Sequence, residues 1–138
     1  MIIDSRLEFS DAQALTASAA STNYIDLTVS RNVGVGYPLY LVCTVDVAAD
    51  YTSANETYAI AIESDDNSSF SSATAQVSRT IAASALTAGS KHVIPVPNTN
   101  ERYMRVYYTL GGTTPSVTIS AFLTEHEPEV WTSIADSI

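Results

Sequence analysis

Between Glu101 and Glu125 the chain alternates with a period of two over nearly its whole length, and this pattern constrains the fold more than any other stretch. In ERYMRVYYTLGGTTPSVTISAFLTE, Met104, Val106, Tyr108 and Leu110 fall on one side, and Tyr103, Arg105, Tyr107 and Thr109 on the other. Further on, Val117, Ile119, Ala121 and Leu123 share a side opposite Thr118, Ser120, Phe122 and Thr124. Successive side chains leave a strand on opposite faces, so each arm is a strand with one apolar face. Gly111-Gly112 supply the positive φ of a reversal, and Pro115 keeps the loop from pairing. The spacing predicts a β-hairpin of two long strands at the centre of the molecule.

The rest of the chain repeats the signature in shorter pieces. Leu7 to Leu15 reads as extended with a bulge near Ser10-Asp11, where the exposed face flips. A helix over Asp11 to Ala20 capped by Ser10 is the competing reading. Tyr24 to Val29 predicts a short strand, and Pro38 to Val47 a strong one with Leu39, Leu41, Cys43, Val45 and Val47 inward. Thr57 to Glu63 points Tyr58, Ile60 and Ile62 inward, and Phe70 plugs the following polar loop onto the sheet. Ala75 to Ile81 places Val77, Arg79 and Ile81 on one face. An inward Arg79 needs a carboxylate or an interface. Lys91 to Val96 is an edge strand, because Pro95 removes a ladder donor. The expectation is an all-β single domain: a jelly roll or β-sandwich of about seven or eight antiparallel strands with extended terminal arms. Residues 1–6 form the N-terminal arm, 7–125 the sandwich and 126–138 the C-terminal arm.

Charge narrows the partners. Fifteen carboxylates oppose six Lys and Arg, for a net charge of −9 in 138 residues. Such a chain repels phosphate backbones and anionic membranes, so neither nucleic acid nor membrane is an expected partner. The first residues lack the basic start and apolar run of a signal peptide, which predicts a protein made in the cytoplasm. Ile2 and Ile3 at one end, and Trp131 and Ile134 at the other, are apolar anchors outside the strand pattern, suited to docking. For Trp131, packing on the outside of its own sandwich weighs equally.

Catalytic chemistry has no constellation to use, and the expectation is that the chain is not an enzyme and carries no cofactor. Cys43 sits in an apolar run and reads as an inert buried thiol. His92 reads as a structural histidine. In a strand, Glu125 and Glu127 point away from His126, so those three do not form one site. The oxygen-rich loop Ser64 to Phe70 invites calcium but lacks the twelve-residue spacing with its terminal Glu, and a solvated turn is the stronger reading. RNVGVGY (Arg31 to Tyr37) lacks the third glycine and the helix of a dinucleotide fingerprint. No metal site is expected.

The run LEFSDAQALTASAASTNYIDL (Leu7 to Leu27), GVGYPLYLVCTVD (Gly34 to Asp46) and IESDDNSSF (Ile62 to Phe70) resemble the small jelly-roll cement, or decoration, proteins of tailed bacteriophages, in particular that of a short-tailed Bordetella phage. The resemblance covers Ile2 to about Pro128. It implies a homotrimer on the outer capsid surface of the virion, made in the host bacterial cytoplasm, that binds the major capsid protein and clamps the shell against DNA pressure. Tyr103, Arg105 and Tyr107 are then the candidate subunit interface, because Tyr and Arg are enriched at interfaces. A solvent-facing sheet with the same residues is the bland reading. Ile2, Ile3, Leu7, Trp131 and Ile134 are the candidate capsid-binding residues. An alternative from another class is a carbohydrate-binding jelly roll acting in host attachment, with Tyr37, Tyr40, Tyr51 and Tyr58 as stacking surfaces.

Overall fold

The computed structural model describes residues 3–33 and 35–126. Nine strands follow in order among these residues: β1 (Glu8–Leu15), β2 (Ala19–Ala20), β3 (Ile25–Asp26), β4 (Tyr40–Val47), β5 (Thr57–Asp65), β6 (Thr74–Ile81), β7 (Lys91–Pro95), β8 (Tyr103–Gly111) and β9 (Val117–Thr124). The helical content described is two three-residue 3-10 turns, Ser5–Leu7 and Ala83–Ala85. One sheet has the order β1-β9-β4-β7; the other has the order β2-β8-β5-β6, with β3 also on β8.

Every pairing is antiparallel, and partners nest: β1 with β9, β2 and β3 with β8, β4 with β7, β5 with β6. The chain is thus folded double at the β5–β6 turn, and the doubled ribbon is wrapped into two layers. That is the jelly-roll arrangement expected from the strand pattern.

The expected central hairpin does not form. β8 and β9 are each central strands, but they lie in different sheets and do not pair. Instead β8 lies between β5 and the β2 and β3 pieces, and β9 lies between β1 and β4. The two apolar rows bury each other across the sandwich rather than side by side. Met104, Val106 and Tyr108 from β8 and Val117, Ile119, Ala121 and Leu123 from β9 belong to one core with Phe9, Leu41, Cys43, Val45, Tyr58, Ile60 and Ile62.

The connection between them is held in place to make this crossing. Asn55 Nδ2 donates to Thr113 Oγ1 and Thr113 N donates to Asn55 Oδ1, both at 3.1 Å. Asp50 N donates to the Ser116 carbonyl at 2.8 Å. Gly112 has φ +94°, and a Cβ there would stand 2.5 Å from the Asn55 carbonyl oxygen and 2.7 Å from Glu56 Cα. No other residue type fits both the backbone angle and the space.

Other differences have local causes. Val47, expected inward, is 59% exposed. The register slips between Val45 and Val47, because two β4 residues oppose one step of β9 from Ile119 to Thr118, and a one-residue bulge turns Val47 outward. The expected strand Tyr24 to Val29 shrinks to β3, since Thr28 has φ +69° and leaves the strand. The β1 bulge is present: the register with β9 shifts on both sides of Ser10, Ala12 has φ +43°, and no helix forms at Asp11 to Ala20. Pro95 ends β7 at the sheet edge. Arg79 is exposed and takes neither a carboxylate nor a buried place. Its Nη1 donates to the Val93 carbonyl at 3.0 Å, tying the edge strand of one sheet to that of the other.

Gly112→Ala should lower unfolding free energy by about 2 kcal/mol or more, because strain and close backbone contact add. Gly89→Ala, at φ +81° with nothing within 4 Å, should cost only about 1–2 kcal/mol. Urea melts of the two variants measure the difference, which isolates the tight crossing.

Candidate functional site

β8 alternates, so its second row points out of the sandwich. Tyr103, Arg105 and Tyr107 are all half-buried on that face. The register places Glu63 of β5 directly across from Arg105, and Ala61 across from Tyr107. Arg105 Nη2 and Nε lie 2.7 and 2.8 Å from Glu63 Oε2, with both side chains at most 20% exposed. The guanidinium also sits 4.4 Å from the centre of the Phe70 ring and 5.5 Å from that of Tyr107. Phe70 plugs its loop onto the sheet as expected, at φ +50° and 9% exposure.

Tyr24 and Tyr103 complete the cluster. The Tyr24–Phe70 and Tyr24–Tyr103 rings are 5.9 Å apart, edge to face, an arrangement favoured by the aromatic quadrupole. Beside them Arg102 forms a two-pronged pair with Asp26 at 2.8 and 2.9 Å, and this holds the Asp26 carboxyl below the usual range. The three candidate interface residues therefore belong to one patch with Tyr24, Asp26, Glu63, Phe70 and Arg102, which strand alternation alone did not join. Tyr24 is 51% exposed. A stacked, ion-paired surface with rigid Tyr and Arg groups offers aromatic area and directional donors to a protein partner at low ordering cost.

The N-terminal candidates lie elsewhere. Ile3 is 45% exposed and Leu7 half-buried. Asp4 caps the turn that carries Leu7, accepting from Arg6 N at 2.9 Å. Ile3 and Leu7 border an apolar groove of about 320 Å³ with Phe122, Leu123 and Thr124 of β9. Ile2, Trp131 and Ile134 lie outside the described residues.

Of the four tyrosines named for sugar stacking, one is removed from any surface. Tyr58 is in the core and donates to the Asp50 carbonyl at 2.8 Å. Tyr40 is half-buried at the start of β4, while exposed Tyr37 and Tyr51 belong to the loops before and after that strand. A separate open cleft of about 370 Å³ is lined by Asn32, Val35, Gln76, Asn98, Thr99 and Asn100.

The groups weighed for chemistry have structural occupations. Burial pushes the Cys43 thiol up to about 12. His92 Nε2 donates to the Ala85 carbonyl at 3.2 Å, while partial burial and nearby Arg79 hold its pKa below the ordinary value. Burial also pushes the Tyr108 phenol up, and its hydroxyl bonds Ser10 Oγ at 2.8 Å. In the oxygen-rich loop, burial raises the Asp65 pKa, but the amides of Ser72 and Asn67 outweigh it and the net direction is down. Among the described residues no three His, Cys, Asp or Glu side chains gather as a metal centre.

A family model, Bbp16, matches residues 9–123. No curated protein matches the chain. Among solved structures, PBSX exported protein XepA is 15% identical with a TM-score of 0.40, over 91% of this chain and 42% of that one. The chain thus spans about two fifths of that protein's length.

A double-mutant cycle of Arg105→Ala and Glu63→Ala should give a coupling of about 1–2 kcal/mol in urea unfolding. The same cycle on Arg102 and Asp26, 39% and 38% exposed, should give a smaller coupling, because solvent screens an exposed pair. Arg105→Lys should recover only part of the first value, since an ammonium lacks the planar group that stacks on Phe70. Asp65 gives a pH signature as well. Its folded pKa is lowered, so its contribution is full above the unfolded value and is lost as pH falls through the folded one. Acid melts of Asp65→Asn should show a flatter loss than those of the unmodified chain.

Proposed function

The chain belongs to the Bbp16 family, a phage-related family, and on that footing we propose that it is a capsid cement protein: a homotrimer on the outer surface of a tailed-phage shell that holds major capsid proteins together against internal DNA pressure. The family match carries the reading, because it spans the jelly roll from β1 to β9. Physical features support it. A two-layer β-structure with nested pairing resists tension without moving parts, and the surplus of acid keeps a high-copy surface protein soluble. In this reading the genome is no partner, no membrane is engaged and no reaction is catalysed.

The subunit contact is assigned to the Tyr103, Arg105 and Tyr107 face with its Phe70 and Tyr24 buttress. A three-fold closed ring uses two different patches per subunit, so this face meets a dissimilar surface of its neighbour. The shell contact is assigned to Ile3 and Leu7 above their groove, together with Ile2, Trp131 and Ile134. A second reading, a glycan-binding module, draws on the amide-lined cleft at Asn32, Gln76, Asn98 and Asn100, since uncharged amides suit sugar hydroxyls.

Light scattering of the purified chain should give three times 14.7 kDa, that is 44.1 kDa. Tyr107→Ala with Arg105→Ala should shift the mass toward one chain while circular dichroism stays β-rich. The trimer should bind expanded capsids stripped of it and raise their rupture temperature. A 14.7 kDa species that ignores capsids but binds sugars in a titration would replace the cement reading with the glycan one.

A further inference from the structure

The β4–β5 connection places two carboxylates on one tight turn, whose Ala54 N donates to the Tyr51 carbonyl at 3.3 Å. Asp50 Oδ1 accepts from Thr52 N at 3.1 Å and from Thr52 Oγ1 at 2.6 Å. From the other side, Glu56 Oε1 accepts from Ser53 N at 3.3 Å. Glu56 is 6% exposed, and its second oxygen, Oε2, has no hydrogen-bond partner among the described residues. The ion pairs described are Arg102–Asp26 and Arg105–Glu63, so neither acid of this turn is matched by a cation there. A buried, unpartnered carboxylate oxygen is costly, and a site that keeps one calls for a ligand.

Asp65 is also buried, but both of its oxygens are spent on Asn67 N, Ser72 N and the Ser72 hydroxyl. Asp65 is therefore satisfied from within, and Glu56 Oε2 is not. Tyr58 lies beside the turn, at the start of β5. Burial is the main cause that raises its phenol, and the negative charges of Asp50 and Glu56 both add to it.

We propose that the Asp50–Glu56 turn binds a divalent cation of the calcium class, with Glu56 Oε2 and the Asp50 carboxylate as its charged ligands. Two carboxylates balance the charge of one such ion. Calcium accepts carboxylate, carbonyl and water oxygens in irregular sets, whereas magnesium demands near-ideal octahedra and soft metals prefer nitrogen and sulfur. The ion would sit where the β8–β9 crossing is pinned, because Asp50 N and the Tyr58 hydroxyl both bond the Ser116 carbonyl. Binding there ties the crossing to the end of β4 and stabilises the fold by mass action.

The test uses the full chain stripped with chelator. Terbium stands in for calcium, and Tyr51 on the connection and Tyr58 at the start of β5 should sensitise its emission. The expected result is saturable luminescence displaced by calcium but not by equal magnesium, with a melting temperature raised by about 3 °C or more at saturating calcium. Glu56→Gln keeps the shape and removes the charge; it should weaken binding by about tenfold or more. Asp50→Asn should weaken it as well, while Asp66→Asn in the satisfied loop should leave it unchanged. Equal affinity in Glu56→Gln, or no saturable emission and no calcium shift in the unmodified chain, overturns the site. So does a Glu56→Gln chain that melts higher without calcium beside an unmodified chain that calcium leaves unchanged.

Discussion

The crossing from β8 to β9 is the constraint on which the rest of the molecule depends. Each strand has one apolar row and each is central in its sheet, so the two sheets close on one another only if the chain changes layer between Leu110 and Val117. That change is possible because Gly112 lets the backbone come into contact with Asn55 and Glu56. The reciprocal Asn55–Thr113 bonds and the Tyr58 hydroxyl at Ser116 then hold the turn over the end of the sandwich. Once that end is fixed, β5 and β4 have a central strand to pair with on each side, and the nested pairs follow outward to β1 and β6.

Faces were legible in the residues, and partners were not. The period of two assigned Met104, Val106, Tyr108, Ile119 and Leu123 to the core, and all are buried. The same alternation is satisfied whether two strands lie side by side or face to face, which is why the Glu101–Glu125 stretch reads as a hairpin although it is a crossing. Two glycines beside a proline signal a reversal of direction, but not whether the chain returns in the same layer. Val47 shows a finer version of this limit: a single bulge residue, Asp46, inverts its side, and nothing in the alternation marks it.

The candidate face was legible in part for a related reason. Tyr103, Arg105 and Tyr107 stand out as an aromatic and basic row on one strand. Their meaning comes from Glu63, which is 42 residues away in sequence and opposite Arg105 in register. Phe70 was readable as a plug because it is a lone large apolar residue in a polar loop. That it lands under the Arg105 guanidinium depends on the β5–β6 return, a long-range outcome. Glu56 gave no signal, since an isolated acid in a loop normally faces water, and only burial by the crossing makes it exceptional.

The placement of the few cations separates the two ends of the protein. Arg102 and Arg105 are committed to Asp26 and Glu63 on one sheet face, and Arg79 to a backbone carbonyl at the sheet edge. Each guanidinium is thereby held in one direction by its bonding partner. The opposite condition holds at the Asp50–Glu56 turn, where charge is concentrated with no basic residue to answer it. A chain with one lysine and a net charge of −9 has few counter-charges to distribute, and two of them lie over the aromatic rings of this face. The turn that pins the layer crossing is left to draw its counter-charge from solution.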